Sequence, residues 1–208
     1  MNFDKLFQAQ EAFLLAYPGG FNHPDMIELG KKKHNVSKLA EFCQQAFTKE
    51  KFNQRDELLD NWIKVISRSS MTSLFEKPKF KDYVKTCMGD ERTALADALY
   101  QRLHGNAPAG MDLMVELFKR DKLAKWTMIS AVPAYWKLQD EIFMKPTTVK
   151  GIIAHFELPN LIYKPTPSWE FYHRYRDYIL AMKEKADDSL KPNNPAFCGF
   201  LMMSLPKR

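Results

Sequence analysis

The chain has three cysteines, Cys43, Cys87 and Cys198, far apart and odd in number. That count and spacing fit the reduced thiols of a cytoplasmic protein better than a disulfide framework. Its five histidines, His23, His34, His104, His155 and His173, fall at no metal-ligand spacing, and no cysteine pair joins them. Structural zinc is therefore not expected. Glycine is scarce, at eight residues, and no Gly-rich Walker sequence occurs, so nucleotide hydrolysis of that class has no support. No window approaches the roughly 18 uninterrupted apolar residues a membrane span needs. The start, MNFDKLFQAQEAFLLAY, lacks the basic leader and unbroken apolar core of a signal peptide, and we expect a cytoplasmic protein without a membrane partner.

What is present describes an ordered globular chain. Hydrophobic residues make up 45% of the 208, aromatic residues 13% and charged residues 27%, enough to build a core without a disordered tract. Thirty-one Lys and Arg face 25 Asp and Glu, a formal charge of +6. A cationic excess of this kind suits an acidic partner, either nucleic acid or an acidic protein, because clustered Lys and Arg displace counterions from phosphates.

The apolar pattern is helical nearly throughout. Phe3, Leu6, Phe7, Phe13, Leu14 and Tyr17 predict an amphipathic helix that stops before Pro18-Gly19-Gly20. After a turn and the basic run 31–33, Asn35 is the expected N-cap of a helix carrying Val36, Leu39, Ala40, Cys43 and Phe47. Leu58, Leu59, Trp62, Ile63 and Ile66 follow in register, then a helix with Pro78 in its first turn, then one capped by Asp90 and ended by Gly105. Two further helices precede 144–169, the second bent or ended near Pro133. No segment alternates strictly between apolar and polar residues. The expectation is a mainly α domain of about eight helices spanning 1–208, with a lobe boundary near 105–110 and a tethered C-terminal segment, 190–208, whose state the period leaves open between strand and helix.

Within MKPTTVKGIIAHFELPNLIYKPTPSW the tripeptide Lys-Pro-Thr occurs twice, at 145–147 and 164–166. Each copy reads as a helix start, with Thr147 or Thr148 capping the first and Thr166 the second, where Pro167 takes the first helical position. The functional alternative is an anion site: free N–H groups at such an entrance, helped by Lys145, Thr148 and Lys150, holding a nucleic-acid phosphate, with Lys164, Arg174 and Arg176 contributing if they converge. The segment PSWEFYHRYRDYIL interleaves rings with Arg174 and Arg176, yet Phe171, Tyr175, Tyr178 and Met182 at spacings of three and four read as a core face. His23 beside Asp25 and Glu28 is an ordinary turn histidine or a base with a carboxylate partner, and no nucleophile or metal set accompanies it. We expect no catalytic residue and no cofactor.

Lys125, Trp126, Phe143, Lys145, Pro146, Lys150, Tyr163, Trp169 and Tyr172 form a sequence pattern: Lys-Trp, then Phe-x-Lys-Pro, a Tyr, and Trp-x-x-Tyr. It resembles one shared by uncharacterised bacterial proteins with no assigned activity, and the resemblance implies a common helical fold and no reaction. KPTTVKGIIAHFEL is also loosely similar to the helix after the catalytic aspartate of helix-hairpin-helix DNA glycosylases. Lys145-Pro146-Thr147 stands where that aspartate would be, and no Leu-Pro-Gly-Val-Gly hairpin occurs, so the likeness implies a binding scaffold at most. The leading expectation is a non-enzymatic binder of nucleic acid or another polyanion, with a helical interaction or scaffold protein second and a nucleic-acid-acting enzyme third.

Overall fold

The structure, a computed structural model, describes residues 1–33 and 35–206, with nothing beyond the backbone for Lys33; His34 lies outside the described residues. Eleven α-helices and three short 3-10 turns make up these residues, and no strand occurs among them. The helices are α1 (Phe3–Ala16), α2 (Pro24–Lys33), α3 (Val36–Ala46), α4 (Arg55–Arg68), α5 (Glu76–Thr86), α6 (Gly89–His104), α7 (Ala107–Lys119), α8 (Trp126–Trp136), α9 (Pro146–His155), α10 (Trp169–Lys185) and α11 (Asn194–Met203). The expected count of about eight was too low. Two helices account for most of the difference: α2, where Pro24 opens a helix in a stretch dominated by charge, and α11, where the C-terminal apolar residues wind into helix behind the N-cap Asn193.

The core is built where apolar stripes meet. Trp62 of α4, Phe80 of α5 and Phe118 of α7 stack mutually at ring distances of 5.4–5.8 Å, and all three are fully buried. Such rings prefer tilted and edge-on contacts to sandwiches, and these angles follow that preference. Helices α6 and α7 form an antiparallel pair across the turn at Gly105–Asn106, the segment raised above as a lobe boundary. Gly110 of α7 lies directly against the α6 backbone, where an added Cβ would lie 2.3 Å from the Arg102 nitrogen and 2.8 Å from the Ala98 carbonyl oxygen. Only glycine fits.

The two ends of the chain pack on the same side. Asn2 N–H donates to the Phe156 carbonyl at 2.8 Å, Lys5 pairs with Glu157, and Phe13 of α1 meets Phe200 of α11 edge-on. Gly20, at φ 62°, lets the turn after α1 press against Ser189, whose oxygen would be 2.6 Å from any Cβ there. The three cysteines are separate thiols, with Cys43 and Cys87 buried.

Several caps differ from the sequence expectation. Asn35 precedes α3 in a left-handed conformation and makes no side-chain cap bond. Asp90 lies inside the first turn of α6, which begins at Gly89, and Ser168 rather than Thr166 caps α10 by accepting from Phe171 N–H. At α9 the N-cap position is Lys145, Pro146 is the first helical residue, and neither Thr147 nor Thr148 caps. Pro133 sits in the last turn of α8, which runs on to Trp136.

Candidate functional site

Three helix starts come together around Trp126. The Glu76 carboxylate, at the head of α5, accepts from the Thr127 hydroxyl at 3.1 Å and pairs with Lys125 Nζ at 2.9 Å. The Trp126 indole N–H donates to the Lys164 carbonyl at 2.8 Å, which holds the 161–168 segment against the start of α8. One turn into α8, Ser130 donates to the Trp126 carbonyl and accepts from Met144 N–H at 2.9 Å, so Lys145 and the head of α9 enter beside the head of α8. These are short, directional tethers between segments distant in sequence.

The cations of this region sit at their outer ends. Lys145, Lys150 and Lys164 are exposed. Lys150 Nζ lies 5.6 Å from the centre of the Tyr163 ring, next in sequence to Lys164, and Tyr163 in turn packs edge-on against Phe171. Burial pushes the Tyr163 hydroxyl pKa up, so the ring stays neutral under its lysine. Lys77 follows Glu76 on α5, and Lys125 occupies the N-cap of α8; neither α8 nor α9 has a side-chain cap. Glu76 is the one carboxylate among the tethers of these helix starts.

Of the residues singled out from sequence, Lys145, Lys150 and Lys164 are joined to this surface, and Thr148 stands in the first turn of α9, half-buried. Arg174 and Arg176 part company. Two residues apart on a helix means about 200° of rotation. Arg174 reaches Glu170 at 3.9 Å, whereas Arg176 turns toward Glu141.

Arg176 thereby joins a buried cluster that sequence reasoning missed. Arg102 of α6 makes a two-pronged pair with Glu141, at 3.1 and 2.6 Å, and its guanidinium lies 5.3 Å from the Trp169 ring and 5.2 Å from that of Tyr172. The Tyr172 hydroxyl donates to Glu141 as well, and Asn194 Nδ2 donates to the Glu141 carbonyl at 3.0 Å. Burial pushes the Glu141 carboxyl pKa up, but the bonds and charge of Arg102, with Tyr172 and Arg176, outweigh it and leave it below the ordinary range. Burial and the nearby carboxylate raise the Tyr172 hydroxyl. Arg176 Nη1 stands 3.8 Å from Glu141 and Nη2 3.5 Å from Asp177. The Trp-x-x-Tyr spacing offered the one legible signal, since Trp169 and Tyr172 are the rings that enclose Arg102.

His23 accepts from Asp25 N–H through Nδ1 at 3.3 Å, stands 3.8 Å from the Asp25 carboxylate and packs edge-on against Tyr17. Among the described residues no group of three or more His, Cys, Asp and Glu side chains is placed to hold a metal, and no helix is long and apolar enough to cross a membrane. No protein-family model matches the chain, and no curated protein or solved structure matches it.

Proposed function

We propose that this protein is a non-enzymatic binder of polyanions, nucleic acid foremost, and that it binds through the lysine surface around the start of α8. The observation that carries this reading is the presence of Lys77, Lys125, Lys145, Lys150 and Lys164 on three tethered helix starts and the 161–168 segment bound to them, none of the three starts having a side-chain cap. Ammonium groups on flexible stems neutralise phosphates without demanding one geometry, which suits a backbone contacted irrespective of sequence. Glu76 offsets part of the charge, chiefly that of Lys125, and leaves the outer lysines available.

The test is charge reversal away from the tethers. Lys150→Glu with Lys164→Glu should leave the thermal midpoint nearly unchanged, since both side chains are exposed, and weaken binding to mixed-sequence oligonucleotides at low salt by tenfold or more, on the order of 1 kcal/mol per phosphate contact. Unchanged affinity in the double variant would end the reading. A second reading, a helical protein-interaction module for an acidic partner, is favoured by the exposed Leu74, Phe75 and Ile162, which lie within three residues of Lys77 and Lys164 in sequence. Recovery of a stoichiometric acidic protein that oligonucleotides do not displace would favour it.

A further inference from the structure

We infer that the lysine surface takes single-stranded rather than duplex nucleic acid, with Phe75 as the ring on which a base stacks. This rests on the polyanion reading above and goes further in naming the form of the ligand. Phe75 is 83% exposed, Leu74 before it 78% and Ile162 80%, among the most exposed large apolar side chains of the protein. They are not scattered. Phe75 immediately precedes Glu76, whose carboxylate holds Lys125 and Thr127; Ile162 lies two residues before Lys164, whose carbonyl holds Trp126. Two segments with exposed apolar side chains are thus both bound to the start of α8.

The groups a single strand requires are present on both segments. Phe75 and Lys77 stand on either side of Glu76, whose carboxylate holds Lys125, and Ile162 and Lys164 stand on either side of Tyr163, whose ring lies 5.6 Å from Lys150 Nζ. Apolar side chains and cations are interleaved along each segment, a composition that suits the bases and phosphates of an unpaired strand. A duplex presents phosphates outward and keeps its bases stacked inside, so it would meet the lysines and leave Phe75 facing its backbone. The lysine complement favours a phosphate-bearing ligand over a second copy of this chain, which is itself cationic at +6.

The experiment compares fluorescence anisotropy of labelled single-stranded DNA, single-stranded RNA and duplex DNA of equal length at about 50 mM salt, a concentration at which phosphate contacts are strong. The proteins are wild type, Phe75→Ala and Phe75→Trp, each checked for an unchanged thermal midpoint. The single strands should bind more tightly than duplex. Phe75→Ala should weaken them by at least about fivefold, in the range of one lost base stack, with little change for duplex or heparin, and Phe75→Trp should restore the affinity. Equal affinity of wild type and Phe75→Ala for single strands, or tighter binding of duplex, overturns the inference while leaving polyanion binding intact. Failure to bind heparin and every oligonucleotide sinks both readings. Co-sedimentation with anionic phosphatidylglycerol vesicles that depends on Phe75, without single-strand binding, would replace the strand with a lipid surface.

Discussion

Arg102 shows most plainly how this protein satisfies a demanding residue. A buried guanidinium loses several kcal/mol of hydration, and here a two-pronged carboxylate and two ring faces offset the loss. The offset is incomplete: Nε of Arg102 and of Arg176 are both buried without a hydrogen-bond partner. Removing the carboxylate should therefore be expensive. Glu141→Gln is expected to cost about 3–5 kcal/mol at pH 7, because Arg102 keeps its charge in a site 4% exposed and loses its ionic partner. The pH dependence has a fixed sign. Glu141 holds its proton less tightly when folded than when unfolded, so its contribution is present above the unfolded carboxyl value, about 4.3, and is lost as pH falls through the lower folded value. Urea denaturation from pH 7 down to pH 3 should show the gap between wild type and Glu141→Gln narrowing with acidity. A gap that stays constant would mean that the pair is not ionised as described.

At the scale of the element, the apolar stripes were legible and the caps were not. Leu58, Leu59, Trp62, Ile63 and Ile66 announced α4, and all five are buried. Trp62 and Trp126 are fully buried as their patterns implied, whereas Trp169, which also sits in an apolar pattern, is only partly covered and lies over Arg102. Caps failed for a common reason. Thr166 and Ser168, or Gly89 and Asp90, each offer a plausible start within two residues, a spacing at which helix boundaries are not resolved by residue type alone. The α6–α7 pair supplies an element-scale test. Gly110→Ala places a methyl group against the α6 backbone, which cannot yield as a side-chain tip can, and should destabilise by about 1–3 kcal/mol. Gly30→Ala in α2, where nothing lies within 4 Å of the added carbon, should instead be neutral or stabilising by up to about 1 kcal/mol. Equal thermal midpoints for the two variants would contradict the packing assigned to α6 and α7.

Across the whole molecule, sequence gave composition and net charge, and folding decides where the charge goes. Lys77, Lys125 and Lys164 lie far apart along the chain, and no spacing rule predicts that Glu76 and Trp126 draw them together. The same holds for Arg102 and Glu141, 39 residues apart, whose pairing exists only once α6 meets the segment after α8. Arg174 and Arg176 show the reverse: neighbours in sequence, they are sent to opposite sides of α10. The lysine surface is thus a product of tertiary structure, and the polyanion binding proposed for it can be tested in one experiment. That measurement is the salt dependence of single-strand affinity for wild type and for Lys150→Glu with Lys164→Glu, from about 50 to 200 mM salt. Each phosphate neutralised on a single strand contributes about 0.7 to the slope of log affinity against log salt, so the double variant should have a slope shallower by about 1.4. Parallel slopes for the two proteins, or no binding by wild type at the lowest salt, would contradict the role given to this surface.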